Sequence, residues 1–185
     1  MSWPKFSRLP GLFVALTLAG LTAGCFQPLY GDKSLVGGSS GMGDKLSSVE
    51  VIPVNTPNGT RLARVGVSVR NELIYQLTGG NGAAPSAYKL NLRLSSTNLQ
   101  VIVDVNTDRP DIQNYGIDAN YTLIDLATNK AVLTSTTFSR VSYNIPGQQQ
   151  RFAGDRGLRD AEDRAAKVIA ENIRTRLASY FAAGT

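Results

Sequence analysis

The spacing of apolar residues changes twice along the chain, and this change limits the possible folds more than any other feature of the sequence. One apolar set recurs every three or four positions, which is the period of an amphipathic helix: Leu62, Val65, Val69, Leu73 and Leu77. Between residues 88 and 143 apolar and polar side chains alternate instead, which indicates strands with one buried face. The helical period returns from about residue 158 to residue 181. With a short strand at residues 48–54 before the first helix, the predicted order is strand, helix, three or four strands, helix.

The strands of this order fall into short segments separated by turn residues. The predicted segments are residues 48–54, which precede the first helix, and then 88–94, 99–105, 115–123 and 132–138. Residues 99–105 form either a separate strand or the end of one long bulged strand, and the last strand extends to Tyr143 in the longer of two interpretations. Alternating strands leave one sheet face polar, while two one-sided helices need a surface to cover. The sequence thus predicts an α+β two-layer sandwich, with two helices packed on a mostly antiparallel sheet of about four strands.

The first 25 residues predict export and lipid attachment. Lys5 and Arg8 precede a ten-residue apolar stretch that ends at Leu21, about half the length that a spanning helix needs. The following Thr22-Ala23-Gly24-Cys25 resembles a bacterial lipobox, in which the chain is cleaved before the cysteine and the sulfur is lipidated. An ordinary signal peptide with a cysteine near its cleavage site is the alternative. Phe26 stands where an Asp retains lipoproteins in the inner membrane, so outer-membrane delivery is expected.

Three parts of the chain follow from these patterns. Residues 1–24 are the lipoprotein signal peptide. Residues 25–47 are the lipidated Cys25 and a flexible tether, because residues 31–47 contain five Gly and four Ser. Residues 48–185 form a single α+β domain.

The composition excludes most catalytic chemistry. The chain has no His and one Cys, so it has neither a Ser-His-Asp nor a Cys-His pair and no imidazole metal ligand. We expect no enzymatic activity, no metal site and no cofactor, and a secreted hydrolase with paired, desolvated carboxylates is the enzyme alternative. Residues 104–108 copy the start of a calcium loop, but Arg109 and Tyr115 replace the required Gly and Glu, so a solvated turn is expected. The net charge of +5 falls to +3 without Lys5 and Arg8, which is too weak to indicate a nucleic-acid partner.

Basic residues on the predicted strands are the candidate ligand site. Lys89 and Arg93, together with Lys130 and Arg140 across a hairpin, are expected to share the open sheet face. Such a face binds phosphorylated or anionic sugar-lipid headgroups through charge-assisted hydrogen bonds. The alternative is an ordinary solvated strand face. The arginines of the first helix, Arg61, Arg64 and Arg70, are expected to be solvated.

Both ends of the mature chain resemble a known family. The run Cys25-Phe26-Gln27-Pro28-Leu29-Tyr30-Gly31 resembles the start of alphaproteobacterial lipopolysaccharide-assembly lipoproteins of the LptE family, which typically read Cys-Gly-Phe-x-Pro-Leu-Tyr-Gly. The Gly after the cysteine is missing here. The chain length, the order of elements, residues 141–144 and residues 174–181 are also similar to that family. The resemblance covers nearly the whole chain in layout and is motif-specific at the two ends.

The resemblance implies an outer-membrane lipoprotein that faces the periplasm and lodges as a plug in the lumen of the LptD β-barrel. It would assist barrel assembly and the insertion of lipopolysaccharide into the outer leaflet. The family fold of two helices on a four-stranded sheet agrees with the pattern above. The family also implies lipopolysaccharide binding through basic side chains, for which strand placement favours Arg93 and Lys130. The main alternative is a periplasmic auxiliary lipoprotein of an ABC or MCE-type lipid transport system, which shares the anchor and an α/β layout.

Overall fold

The computed structural model describes residues 41–80, 82, 84–104, 109–145 and 151–183. These residues form three helices and a four-stranded sheet, so the predicted α+β fold class is confirmed. In chain order the elements are α1 (Met42–Ser47), β1 (Val49–Val51), α2 (Arg61–Thr78), β2 (Tyr88–Asp104), β3 (Arg109–Asp125), β4 (Lys130–Asn144) and α3 (Arg151–Ala183).

The sheet has the strand order β1-β2-β3-β4. The short strand β1 pairs in parallel with the start of β2, where Val49 lies beside Tyr88. The other two pairings are antiparallel, and β2 and β3 run side by side from the Tyr88–Asp125 pair to the Asp104–Arg109 pair. Helix α2 is therefore the crossover that parallel strands require, while β2, β3 and β4 form an antiparallel meander.

Helix α2 begins and ends where the sequence predicts. The Thr60 hydroxyl accepts a hydrogen bond from the Ala63 N–H at 3.1 Å, which satisfies one of the free donors of the first turn. At the other end Gly79 adopts a left-handed conformation with a φ of 63°, which a residue with a side chain rarely adopts. The predicted apolar stripe is buried except for Leu62, which is half-buried.

The core lies between the helices and one face of the sheet. The largest fully buried side chains come from α2, β2, β3 and α3: Val65, Val69, Leu73, Leu90, Tyr115, Ile117, Leu123, Ile169, Ile173 and Leu177. Each such aliphatic side chain contributes about 1.5–3 kcal/mol when it is removed from water. The alternation of β2 and β3 thus aims one set of side chains at the helices and leaves the other set uncovered.

Several elements differ from the predicted bounds, and the structure also decides between the two alternatives for residues 99–105. Strand β1 is shorter and β3 is longer than predicted. Strand β2 is one long strand with register shifts between Gln100 and Val103, which is the bulged alternative. Helix α3 begins at Arg151 and not near Leu158. Its first turns were not predicted, because Gly154 and Gly157 have a low helix propensity. Residues of the expected tether, Met42–Ser47, form helix α1 with Leu46 buried in the core, so the folded part starts before residue 48.

Of the helices in the described part of the chain, none combines the length and hydropathy needed to cross a bilayer. Residues 105–108 of the candidate calcium loop lie outside the described residues.

Candidate functional site

One face of the sheet packs against the helices, and in the described ranges no helix covers the other. We call this second surface the open face. It consists of the alternate residues that point away from the core: on β2 the odd-numbered residues 89–99, on β3 the even-numbered residues 112–124 and on β4 the even-numbered residues 134–144. Because the register pairs Arg93 with Asn120 and Asn120 with Thr136, these side chains form one row across three strands.

A groove of about 540 Å³ crosses the middle of the open face. Its floor carries uncharged polar side chains and one cation: Asn91, Arg93, Asn120, Thr122, Thr134 and Thr136. The chain that leaves β1, at Ile52, Pro53 and Asn55, forms the wall beside β2. The groove therefore offers hydroxyl and amide groups for hydrogen bonds together with a single positive charge.

Arg93 is an exposed cation without a protein partner in the described ranges. Its side chain makes no hydrogen bond or ion pair there, and it lies at the β2 side of the groove. An exposed guanidinium presents five donors in a fixed plane, which matches the oxygen atoms of phosphate or carboxylate groups. Among the four predicted basic residues, Arg93 is the one placed in the groove.

Lys89 lies on the same face as Arg93, near the end of the sheet where β1 pairs. The register places it between Glu50 of β1 and Ile124 of β3. The side chain is half-buried, and no carboxylate of the described chain lies within ion-pair distance of its ammonium group. Lys89 and Arg93 are four residues apart on one strand, which separates them by about 13 Å.

Arg140 is on the open face but is held by the protein itself. Its Nη2 donates to both Asp118 carboxylate oxygens, at 2.8 and 3.1 Å, and its Nη1 donates to the Ile117 and Ser139 carbonyls. The guanidinium also lies 5.5 Å from the centre of the Phe138 ring. This arrangement uses most of the donors of Arg140 within the sheet.

The side chain of Arg140 crosses the sheet directly over Gly116. A Cβ atom at position 116 would lie 2.7 Å from the Thr97 hydroxyl and 2.8 Å from the Arg140 Cδ, closer than real Cβ atoms come. Glycine at this position therefore makes room for the arginine, which indicates that Arg140 has a structural role in the sheet.

The structure does not bring Lys130 to the open face. A bulge between Leu123 and Ile124 shifts the register of β4 by one residue, so that Lys130 lies opposite Asp125. The alternation along β3 places Asp125 on the side of the sheet that the helices cover, and its carboxylate is close to Tyr180 of α3. Burial raises the pKa of the Tyr180 phenol, and Tyr88 and Asp125 raise it further. Lys130 is exposed at the end of the hairpin, apart from the groove.

The arginines of α2, expected to be solvated, bond instead to other parts of the protein. Arg64 Nη2 donates to Glu162 Oε2 at 2.5 Å, and Arg61 Nε lies 3.4 Å from Glu162 Oε1. Glu162 is only 3% exposed, whereas the two arginines are about half exposed. Arg70 Nε donates to the Val51 carbonyl at 3.0 Å, which ties α2 to β1. These arginines hold the helices and the first strand together.

Glu162 is the important polar residue that sequence reasoning missed. It lies on the buried stripe of α3, four residues after Leu158 and three before Ala165, so a carboxylate at this position needs a cation from a neighbouring element. That spacing was a usable signal. Tyr115 of β3 is buried on the same side of the sheet as Glu162. Burial raises the pKa of its phenol, and the Glu162 charge raises this pKa further.

The predicted lipidation site, Cys25, and the signal peptide lie outside the described residues. In the described part of the chain, no three Asp, Glu, His or Cys side chains come together as a metal site.

Comparison with known protein families identifies a match that covers most of the described chain. Residues 46–177 match the family described as "LptE: Lipopolysaccharide-assembly". The match begins within α1 and ends in the last turns of α3, so it includes the whole sheet and both long helices. A comparison with curated protein sequences gives no match.

Solved structures of bacterial lipoproteins share the fold. A protein from Caulobacter crescentus CB15 that its authors describe as a lipoprotein is 23% identical, with a TM-score of 0.59, and the alignment covers 76% of this chain and 96% of that one. Lipoprotein B from Nitrosomonas europaea is 13% identical, with a TM-score of 0.52 and coverages of 75% and 90%. Rare lipoprotein B from Shewanella oneidensis is 15% identical, with a TM-score of 0.48 and coverages of 71% and 93%. At these identities, the first two structures support the fold alone.

Proposed function

Because the chain belongs to the LptE lipopolysaccharide-assembly family, we propose that it is an outer-membrane lipoprotein that plugs and helps to assemble an LptD-type β-barrel. In this role it aids the insertion of lipopolysaccharide into the outer leaflet. The family match over residues 46–177 carries the proposal. The action is steric and electrostatic, and it requires neither catalysis nor a cofactor.

Lipid attachment at Cys25 is the proposed anchor, after removal of residues 1–24. The sequence of the lipobox and the single cysteine of the chain support this assignment. Three acyl chains, buried at about 0.8 kcal/mol per methylene, hold a protein at a membrane for longer than any single chain does. Residues 26–41 then connect the anchor to helix α1, where Leu46 joins the core.

The chemistry of the open face supports insertion into a barrel lumen. The interior of a large outer-membrane barrel is polar and hydrated. Around the groove the open face offers Asn91, Asn120, Thr122, Thr134 and Thr136, which bond to such a wall without the desolvation cost of charges. The helices cover the opposite face, so the protein presents a rigid two-layer body.

Four basic residues are proposed to bind the phosphate groups of lipopolysaccharide: Lys89, Arg93, Lys130 and Arg140. Support is strongest for Arg93, because it lies in the groove and its donors are free in the described ranges. Lys89 lies on the same face and supplies a second positive charge. Arg140 is weaker because Asp118 neutralises it, and Lys130 is weaker because it lies away from the groove. The hydroxyl and amide groups of the groove suit the sugar part of the same ligand.

Co-purification from the native membrane tests the proposal. The tagged full-length protein is extracted in a mild detergent, and its partners are identified by mass spectrometry. We expect a stable complex with a β-barrel protein of LptD size. Recovery of an ABC or MCE-type lipid transporter in place of a barrel would favour the auxiliary-lipoprotein function and overturn the barrel plug.

The anchor has its own test. Cys25→Ala is expected to leave unprocessed precursor and to abolish the incorporation of labelled palmitate, because the thiol that carries the lipid is gone. Palmitate labelling that persists in this variant would contradict the lipobox assignment.

A further inference from the structure

The outer edge of β2 loses its partner strand after Leu90. Strand β1 pairs only with Tyr88, Lys89 and Leu90, and the last bond runs from the Ile52 N–H to the Leu90 carbonyl at 3.1 Å. Pro53 follows, and it has no N–H with which to continue the ladder. Beyond this point, within the described residues, the edge of β2 that faces away from β3 makes no backbone hydrogen bonds.

The hydrogen bonds near Leu90 establish which residues face this edge. The Tyr88 N–H donates to the Ser48 carbonyl and the Leu90 carbonyl accepts from Ile52, so both residues point toward β1. The Ala87 carbonyl accepts from the Leu126 N–H on the opposite side. Because backbone groups alternate along a strand, the even-numbered residues point outward. The register with β3 is regular up to Gln100, so this alternation includes Leu94, Ser96, Asn98 and Gln100.

The two edges of the sheet are protected to different degrees. On β4, the Arg164 guanidinium donates to the Ser142 carbonyl at 3.3 Å, and the exposed Lys130 places a charge at the start of the strand. From Leu94 to Gln100, β2 has no charged residue, no proline and no register shift, and its side chains are exposed from Ser95 onward. Soluble proteins usually protect exposed edges by such devices, because an unprotected edge pairs with other chains. An unprotected edge of this length therefore indicates a partner strand.

We propose that the edge of β2 from Leu94 to Gln100 receives an extended strand of the barrel protein. This inference rests on the proposed function, which places the adjoining open face against that protein. The free N–H and C=O groups alternate along the edge of β2, and the backbone of another extended strand can form hydrogen bonds with all of them. The exposed side chains beside them on the open face are Ser95, Thr97 and Leu99, which carry no charge, so an incoming strand needs no counter-charge to pair here. The groove at Arg93 stays accessible, because the proposed pairing starts one residue beyond it.

Hydrogen exchange measured amide by amide tests this pairing. The full-length protein is compared alone in detergent and in its purified complex with the barrel protein. We expect exchange at Leu94, Ser96 and Asn98 to slow by about fivefold or more in the complex, since each amide gains a hydrogen bond. Exchange at Ser95 and Thr97, whose amides already face β3, changes less. This odd-even pattern is specific to strand addition.

A pair of variants at one position provides an independent measurement. Ser96→Pro removes an outward N–H and leaves the ladder to β3 intact, so it is expected to weaken the complex about fivefold or more. Ser96→Ala also removes the serine hydroxyl but keeps the backbone N–H, so this variant is expected to form the complex with the barrel protein as well as the wild type does. Exchange in the unmodified protein still decides the question if Ser96→Pro fails to fold.

The outcomes separate this inference from the proposed function. A complex in which odd and even amides slow equally, or not at all, would overturn the strand pairing and leave the barrel function intact. Protection that appears without the barrel protein and grows with concentration would assign the edge to a second copy of this chain. Failure of any complex to form would overturn both proposals.

Discussion

The two faces of the sheet use arginine in opposite ways. On the helix-covered side, Arg64 donates a hydrogen bond to Glu162 and Arg61 forms an ion pair with it, and this carboxylate is 3% exposed. On the open side, Arg93 lies in a polar groove and makes no bond to the described residues. The same side chain therefore stabilises the fold on one face and stays available for a ligand on the other. Burial of the counter-ion separates the two roles, since a buried carboxylate without a cation is strongly destabilising.

Arg140 lies between these extremes and sharpens the comparison. It is on the open face, but it bonds to Asp118, and both side chains are almost 40% exposed. Exposed ion pairs contribute about 0–1 kcal/mol, because water screens them. A position on the open face is thus insufficient to identify a binding residue, and the existing bonds of each guanidinium have to be considered as well.

Removal of both arginines that hold Glu162 has the largest expected effect. The double variant Arg61→Met/Arg64→Met keeps the aliphatic stems but leaves the carboxylate buried without a counter-charge. We expect the free energy of unfolding to fall by about 3–5 kcal/mol, toward the lower end because the two arginines are half exposed. Urea unfolding measures the change.

Two further variants serve as controls for this result. Arg140→Met breaks the exposed pair with Asp118 and is expected to cost about 1 kcal/mol or less. Addition of Glu162→Met to the double variant removes the unpaired charge and is expected to recover most of the loss. A double variant no less stable than Arg140→Met would show that Glu162 is not a buried charge.

The two long helices, α2 and most of α3, and the buried face of the sheet could be predicted from the sequence. The stripe from Leu62 to Leu77 and the alternation of Tyr115–Leu123 depend on local spacing alone, which a single sequence contains. Helix α1 and the start of α3 were not predictable in this way, because the Gly-containing segments become helical through tertiary packing.

The candidate site was predictable only where the strand alternation is unbroken. Lys89 and Arg93 share a face because they are four residues apart on one regular strand. Lys130 would share that face as well, except that the bulge at Leu123–Ile124 inserts Val132 and reverses the alternation of the residues before it. A one-residue irregularity of this kind has no signature in the alternating pattern. The pairing of Arg61 and Arg64 with Glu162 spans about one hundred residues and depends on how the helices pack.

A second prediction tests the structural role of Arg140 on the open face. Gly116→Ala places a methyl group within 3 Å of Thr97 and of the Arg140 side chain, so that the arginine has to move. We expect a loss of about 1–3 kcal/mol in urea unfolding. In an Arg140→Ala background the same substitution is expected to cost less, since part of the clash is gone. Equal costs in the two backgrounds would contradict the proposed packing of Arg140 over Gly116.

A third prediction concerns pH dependence on the covered side. Burial raises the pKa of Tyr115 above its usual value of 10.0. Well below pH 10 the phenol is neutral in both the folded and the unfolded chain, and this contribution to stability is complete. Above that pH the unfolded chain ionises while the folded protein does not, so stability falls by up to about 1.4 kcal/mol per pH unit until the folded pKa is reached.

Tyr115→Phe removes this contribution, so the variant is expected to lose less stability than the wild type in alkaline solution. The difference is expected to grow as the pH rises above 10, and it is measured by urea unfolding over a pH series. Below about pH 9 the two stability curves are expected to run parallel. Curves that stay parallel through the alkaline range would contradict the raised pKa.

The smallest expected change in stability belongs to Arg93→Ala on the open face. Because Arg93 bonds to no described residue, the free energy of unfolding is expected to change by about 0.5 kcal/mol or less. Binding of purified lipopolysaccharide is expected to weaken about tenfold, since a charge-assisted hydrogen bond to phosphate is lost. Arg176→Ala, an exposed arginine of α3, is the matched control and is expected to bind normally.

Dephosphorylated lipopolysaccharide distinguishes phosphate recognition by Arg93 from a general effect of charge. If Arg93 bonds to phosphate, the wild type and Arg93→Ala bind this form equally, because the group that the guanidinium recognises is absent. An equal loss of lipopolysaccharide binding in Arg93→Ala and Arg176→Ala would mean that net charge attracts the lipid from any side. A loss of stability well above 1 kcal/mol in Arg93→Ala would place this arginine with Arg140, as part of the sheet.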